Sequence, residues 1–379
     1  MSNRLRVLLD GNSMVLRTGA THLPGIGRTT LELALAFDEL NDPSVDIRVL
    51  TQTFRGKIPG RLAHLPVRNL FWPIGPRFDW LRQYSPLLKL AMPHDLLHIP
   101  YNFARVQRHE RTVATIHDAM FFSYPEDALG HAFARQEAPT FARNCLAIAA
   151  PSLSAKADIV EYLGVPSEKV TVIPWGVDRT LFNAVDKAGA GDRVAAFTGS
   201  QRPYFLSVSC SNGRKNTISV LRAYHDALRD GLDHDLLLVW GNPPKSYFQE
   251  FADAIEKQRI RFLRHVPDEM LGDLYAGATA TFFPSRYEGF GLPILESMAC
   301  GTPVVTCANS SLPEVGGKAA IYVDPDGVDD MRDYMRLFDT GASPGEGHEA
   351  PACLEQAARF TWRKAAAAYM SFYQQQAVS

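Results

Sequence analysis

The stretch SRYEGFGLPILESMACGTPVV, residues 285–305, sets two carboxylates, Glu288 and Glu296, eight positions apart around a glycine-rich turn. Gly289 and Gly291 lack a Cβ and let backbone approach a ligand closely. Pro293 suits the first turn of a helix, where a missing N–H costs nothing. Gly301 and Pro303 stop that helix. Glu296 therefore falls about one turn into a short helix whose positive end points back at the turn. Free N–H groups at a helix start suit a phosphate, here with one carboxylate on either side to take hydroxyl hydrogens. Taken singly, a glutamate near a helix start needs no ligand, because it offsets the helix dipole. Two carboxylates, two glycines and a proline in this order ask for more.

The combination closely resembles the Glu-x7-Glu signature of the retaining glycosyltransferases of family 4, which have the GT-B fold. The likeness covers the loop glycines, Pro293 and the run Ala-Cys-Gly-Thr-Pro-Val-Val at 299–305.

A chain of 379 residues is too long for one ordinary core and suits two domains. Its net charge of −2 says little about partners, but the distribution is uneven. Residues 48–111 hold eleven Lys and Arg against three acids, an excess of eight positive charges, so the remainder carries ten negative ones. Phe71, Trp72, Phe78, Trp80 and Tyr84 are interleaved with them. Such a segment suits an anionic membrane surface or an anionic acceptor, or equally a solvated basic face over a few core aromatics. Nucleic acid is disfavoured, since the excess is local and no recognition motif accompanies it. No apolar run reaches the length of a spanning helix, and MSNRLRVLLDGN reads as a short strand rather than a signal peptide. Five cysteines without a Cys-x2-Cys pair fit buried thiols in a reducing cytoplasm.

Along the chain, short apolar runs at 5–10, 46–51, 95–100, 112–118, 145–152 and 169–178 alternate with helical patterns such as 25–40 and 154–164, with Ser154 as N-cap and Gly164 at the end. The region 53–76 reads as loop, and a helix near 77–90 is interrupted at Pro86. Residues 183–202 are small, polar and glycine-bearing, as in an interdomain linker. A second alternation then runs through strands at 204–209, 234–241, 260–263, 279–285, 302–307 and 319–324, with a helix from about 245 to 257. Strand–helix alternation in both halves predicts doubly wound parallel sheets with helices on both faces.

Three further constellations carry chemistry. Gly25-Ile26-Gly27-Arg28-Thr29 is neither a P-loop nor a dinucleotide fingerprint, since Thr30 stands where a third glycine is needed. It looks like the Gly-x-Gly-Arg segment that family 4 uses beside the donor phosphates; by itself it is an ordinary glycine start to a helix. Arg214, Lys215 and Asn216 follow a strand and precede a helix, where uncompensated positive charge is unfavourable unless an anion binds. They resemble the family's phosphate clamp. Ser209 replaces the usual glycine, and Cys210 stands where many members carry the arginine, which makes Arg214 its substitute. His117-Asp118, at a strand end and followed by Pro125-Glu126, resembles the family's histidine–aspartate element. His98, in HIPYN, is a second-rank candidate, most histidines being structural. No cluster has metal-ligand spacing.

The resemblance implies a GT-B enzyme: two Rossmann-like doubly wound parallel-sheet domains facing a cleft, with a C-terminal helix crossing back to the first. Residues 1–185 with 361–379 would bind the acceptor, and 186–360 the nucleotide-sugar. Glu296 would hold the ribose and Glu288 the donor sugar. Backbone of Gly289, Phe290, Gly291 and Leu292 would hold sugar or phosphate, Arg214 and Lys215 the diphosphate, and Gly25 and Gly27 would lie beside it. His117 and Asp118 would serve the transfer. Neither a metal nor another cofactor is expected. The donor expectation is GDP-mannose, with a UDP-hexose as alternative. The acceptor expectation is a lipid-linked or oligosaccharide precursor of a bacterial surface glycan such as lipopolysaccharide. The place is the cytoplasm, with peripheral contact to the inner membrane surface. A nucleotide-sugar 2-epimerase and a non-catalytic nucleotide-sugar binder share these motifs.

Overall fold

The computed structural model describes residues 4–16, 23, 25–52, 58, 62–70, 85–104, 111–124, 131–208 and 213–378. The chain divides into two compact units, Met1–Gly176 with Thr361–Ser379, and Val177–Phe360. Each is built around its own parallel sheet.

The first sheet has seven strands: β1 (Leu5–Asp10), β2 (Val45–Thr51), β3 (Val67–Asn69), β4 (Leu96–Ile99), β5 (Thr112–Thr115), β6 (Ala147–Ala150) and β7 (Val170–Val172). Their order is β3-β2-β1-β4-β5-β6-β7, all parallel. Because β4, β5 and β6 are covered on both faces, every residue in them is buried. β3 lies in the region expected to be loop. It pairs with β2 at the sheet edge while exposing all three side chains, so it carries no apolar pattern to read.

The second sheet holds β8 (Tyr204–Val208), β9 (Asp235–Val239), β10 (Ile260–Leu263), β11 (Ala280–Phe283), β12 (Val304–Cys307) and β13 (Ile321–Val323), in the order β10-β9-β8-β11-β12-β13. In both sheets the order reverses beside the first strand, at β1/β4 and at β8/β11. Ligands of doubly wound folds bind outside the carboxyl ends of the strands at such a switch point.

The helix Trp362–Val378 belongs to the first unit. Tyr369 and Tyr373 pack on Phe37 of the helix Gly25–Leu40 and on His98 of β4. The two passages of the chain at the unit boundary touch: a Cβ on Gly176 would stand 2.0 Å from the backbone nitrogen of Trp362 and 2.3 Å from the carbonyl carbon of Thr361.

Three local expectations are corrected. Residues Lys187–Thr198, expected as linker, form a helix capped by Asp186, whose carboxylate accepts from Gly189 N, and ended by Gly199 in the left-handed region. Its small residues serve packing. A Cβ on Gly277 of the helix Asp268–Gly277 would lie 3.4 Å from Gly191, so the two helices approach closely where side chains are absent. The helix Leu153–Leu163 is capped by Ser152 rather than Ser154, with Ser152 Oγ accepting from Ala155 N at 2.9 Å. The expected helix at 245–257 is two short helices, Lys245–Glu250 and Ala252–Glu256.

Candidate active site

The chemistry of the second unit gathers at the carboxyl ends of β8 and β11. After β8 the chain makes a short 3-10 turn, Gly213–Lys215, then Asn216 at φ +54° and the helix Thr217–Arg229. After β11 it runs through Pro284 and Ser285 into the glycine turn and the helix Leu292–Ala299. The loops are stitched together. Arg286 N donates to the Arg214 carbonyl at 2.8 Å, and Asn216 Nδ2 donates to the Pro284 carbonyl at 3.2 Å and the Pro325 carbonyl at 2.5 Å.

Glu288 is the centre of this arrangement. Its Oε1 accepts from Lys215 Nζ at 2.6 Å and from Ser285 Oγ at 2.7 Å, and Arg214 Nη1 stands 3.2 Å away. Arg214 Nη1 also donates to the Tyr287 carbonyl at 2.5 Å. Glu288 is 8 % exposed, and burial works against its charge. The Lys215 ammonium and the Arg214 guanidinium outweigh that penalty and hold the carboxyl below its ordinary range. Lys215 also lies over the Phe283 ring, 4.8 Å from its centroid. Two cations meet one anion here, so the buried cluster is net positive.

The turn is held from beneath by residues that follow β12. Glu288 N donates to Ser310 Oγ at 2.9 Å, and Ser311 Oγ lies 2.8 Å from the carbonyls of both Glu288 and Phe290. Gly291 sits at φ +108° as the N-cap of Leu292–Ala299, a conformation that a side chain would strain. Pro293 lies in the first turn, and Gly301 follows at φ +65°. Glu296 is buried at 5 % exposure in a helix buried on nearly every side. Phe290 packs edge-on to Phe360.

At the switch point of the first unit, Tyr101 and Asn102 follow β4 and tie its neighbours together. Tyr101 OH donates to Asp10 Oδ1 at 2.7 Å and accepts from Ser13 N at 3.2 Å. Asn102 Oδ1 accepts from His117 N at 2.7 Å, while its Nδ2 donates to Asp118 Oδ1 at 3.1 Å. His117 Nε2 lies 3.0 Å from the Pro100 carbonyl, with the ring edge-on to Trp175. A carbonyl only accepts, so Nε2 carries the hydrogen and Nδ1 the lone pair. Burial lowers the imidazole to about 4, keeping it neutral at pH 7. His117 is thus fitted to accept a hydrogen bond rather than to donate a proton.

Gly27 is needed for space, since a Cβ there would lie 2.2 Å from the Ser13 carbonyl oxygen. Gly25 faces open space and has no such constraint. His98 is structural: its Nε2 meets Thr115 Oγ1 at 2.8 Å and its Nδ1 meets Tyr373 OH at 2.7 Å in the core. Pro125, Glu126, Ser209, Cys210 and the aromatics Phe71 to Tyr84 lie outside the described residues.

Within each unit the structure brings together residues that sequence spacing treats separately: Glu288 with Arg214 and Lys215 in one cluster, and Asn102 with the His117-Asp118 pair. It adds Ser285, Ser310, Ser311, Asp10, Tyr101 and Asn102, of which Ser285 alone carried a signal, lying in the glutamate motif itself. Among the described residues no group of three or more His, Cys, Asp or Glu stands where it could hold a metal ion. No described helix is long and apolar enough to cross a membrane.

Two family models match the chain, glycosyltransferase family 4 over residues 24–181 and glycosyl transferases group 1 over residues 192–340. O-antigen chain mannosyltransferase B of Escherichia coli is 30 % identical over 269 residues, 69 % of each chain. O-antigen chain mannosyltransferase RfbU of Salmonella typhimurium is 30 % identical over 217 residues, 56 % of each. Among solved structures, sucrose-phosphate synthase from Thermosynechococcus elongatus superposes with a TM-score of 0.72 at 18 % identity, covering 98 % of this chain and 99 % of that one. Anabaena HepE with UDP-glucose superposes with a TM-score of 0.70 at 16 % identity, over 98 % and 100 %. At such identities these likenesses establish the fold, which is GT-B.

Proposed function

We propose that this chain, which belongs to the family 4 glycosyltransferases and is a glycosyltransferase, moves mannose from GDP-mannose, with retention of configuration, onto a lipid-linked or polysaccharide acceptor of a bacterial surface glycan. The observation that supports the reading is the buried cluster of Arg214, Lys215 and Glu288, two cations around one carboxylate, which suits a diphosphate. The two O-antigen mannosyltransferase relatives support the sugar.

In this reading the donor diphosphate takes the place beside Arg214 and Lys215, whose charge stabilises the phosphate as it leaves. That charge comes from the protein, so the reaction needs no bound cation. Glu288 then shares its two cations with the diphosphate and turns toward the sugar hydroxyls. Backbone N–H groups of Gly289 to Leu292 hold sugar or phosphate, and Glu296 holds the ribose. Residues 1–185 with 361–379 take the acceptor and 186–360 the donor. His117, neutral, accepts a hydrogen bond from a sugar hydroxyl, and Asp118 orients the acceptor.

Glu288 already takes two hydrogen bonds and the Arg214 ion pair on one oxygen, which leaves it poorly placed as a nucleophile. We therefore assign a same-face displacement. The bond from the anomeric carbon to the phosphate oxygen breaks as the acceptor oxygen bonds to that carbon, and the acceptor proton passes to the leaving phosphate. Trapping a glycosyl-enzyme adduct with a slow fluorinated donor would overturn this route. The competing donor is a UDP-hexose, in keeping with the UDP-glucose bound by the similarly folded HepE.

Thermal-shift titration with GDP, UDP, ADP and their sugars decides the donor, since stabilisation follows the bound ligand by mass action. The largest rise is expected for GDP-mannose; a flat profile for every nucleotide sinks the reading. Peripheral membrane contact through residues 48–111 is part of the proposal, and reversing the charges of Arg68, Arg77 and Arg82 should lower liposome binding.

A further inference from the structure

The first sheet has a second built feature at its opposite edge, where the strands begin. A cavity of about 370 Å³ opens there, lined by Arg4, Lys89, His94, Asp95, Arg111 and Ala377. Arg4 directly precedes β1 and Arg111 directly precedes β5, whereas Asp10, His117 and Asp118 lie at the far ends of the same strands. A six-residue strand spans roughly 20 Å, so this cavity is separate from the candidate active site.

Its charge is one-sided. The carboxylate in the lining, Asp95, is already matched: its Oδ1 and Oδ2 take the Arg6 guanidinium at 2.7 and 3.1 Å, and Oδ2 also accepts from Arg6 N at 2.9 Å. Arg4 and Arg111 are held by carbonyl oxygens instead. Arg4 Nε donates to Pro43 at 2.6 Å, and Arg111 Nη2 donates to Gln376 near the end of the helix Trp362–Val378. Among the described residues no carboxylate forms an ion pair with either guanidinium. Each is oriented through one N–H and keeps further N–H groups for a ligand, with Arg4 also within the electrostatic reach of Asp42. Lys89, in the last turn of the helix Ser85–Ala91, adds a third cation.

We propose that this cavity binds a phosphate-bearing anion, with Arg4 and Arg111 as the recognising groups. Fixed guanidiniums with spare N–H donors match the oxygens of a phosphate monoester or diester, and the volume lies within the range of small-ligand sites. The source is either a free phosphorylated metabolite or the headgroup of an anionic lipid.

The test uses the full chain. Isothermal titration with inorganic phosphate and with glycerol phosphate is compared in the unaltered protein, in Arg4→Gln, in Arg4→Gln with Arg111→Lys, and in Lys215→Met, which disables the diphosphate cluster of the other unit. Binding is expected to survive Lys215→Met and to weaken about tenfold in the double variant, the weight of a charge-assisted contact. Arg4→Gln, at an exposed position, guards against a folding defect: it should weaken binding while leaving the unfolding midpoint unchanged. Co-sedimentation with phosphatidylglycerol vesicles against phosphatidylcholine vesicles identifies the source. Loss of vesicle binding in the arginine variants assigns a lipid headgroup, and soluble-phosphate binding without vesicle binding assigns a free metabolite. Phosphate binding that ignores both arginines, or that disappears with Lys215→Met alone, overturns the proposal, as does the absence of binding to both phosphates and vesicles.

Discussion

Lys215 and Glu288 lie 73 residues apart in the chain, yet Nζ of one donates to Oε1 of the other at 2.6 Å. With Arg214 at 3.2 Å from the same oxygen, one carboxylate keeps two cations in place at the switch point of the second sheet.

Removing that carboxylate should therefore destabilise the unit and raise its appetite for anions. Glu288→Ala removes the carboxylate that two buried cations share, a loss of about 3–5 kcal/mol by the general behaviour of broken buried pairs. A nucleoside diphosphate should restore part of it, so GDP should raise the midpoint of Glu288→Ala by more than it raises that of the unaltered protein. An equal or smaller rise would mean that the diphosphate does not meet Arg214 and Lys215.

Asn102 is expected to position His117 and Asp118 for turnover rather than to hold the donor. Asn102→Ala leaves the His117 N–H without its acceptor and should cost about 1–3 kcal/mol of stability. Asn102→Asp keeps an acceptor for that N–H but replaces the donor to Asp118 with a like charge. Both variants should lower kcat and leave the KM for the nucleotide-sugar unchanged. A change confined to KM would place Asn102 with the donor.

Acid should weaken the first unit before it titrates the carboxylates. His98 and His117 are buried and neutral, lowered by burial to about 3 and about 4. Their folded values lie below the ordinary 6.5, so the unfolded chain binds protons first. Stability is full above pH 6.5 and falls as the pH drops from 6.5 toward 4. At pH 5 the loss is about 2 kcal/mol for each histidine. Glu288, also lowered, adds its loss only below its ordinary value of 4.5. Denaturant unfolding of His98→Phe at pH 5 and pH 7.5 checks this, since its pH dependence should be visibly flatter; an unchanged slope would contradict it.

Gly176 should tolerate no side chain. The atoms that a Cβ would meet are backbone atoms of Thr361 and Trp362, which cannot rotate away. Gly176→Ala should destabilise by about 1–3 kcal/mol, the range of overpacked interiors, whereas Gly191→Ala, with open space around its Cβ position, should change stability far less. Equal midpoints for the two variants would count against the packing of the two chain passages.

Much of this protein was legible along the chain because the signals are local. Alternating apolar runs and helical periods report strands and helices directly, and the Glu288–Glu296 motif carries its own turn, cap and stop within twenty residues. The linker expected at 183–202 failed for a physical reason. Glycine and alanine read as flexible in sequence, but on a helix surface they permit close approach, as Gly277 does against Tyr204 and the Gly191 backbone. Likewise β3 exposes all its side chains and leaves no pattern.

By itself, then, the sequence determined two doubly wound sheets and the residue types of the candidate site, since both follow from spacing along the chain. Only the tertiary structure decided which charges neutralise which. Glu288 could have faced solvent, Lys215 could have waited alone for a phosphate, and His117 could have been an acid. The Lys215 ammonium and the Arg214 guanidinium keep Glu288 ionised against its burial, and burial against Trp175 keeps His117 neutral. Those outcomes depend on distances across strands that no local pattern records.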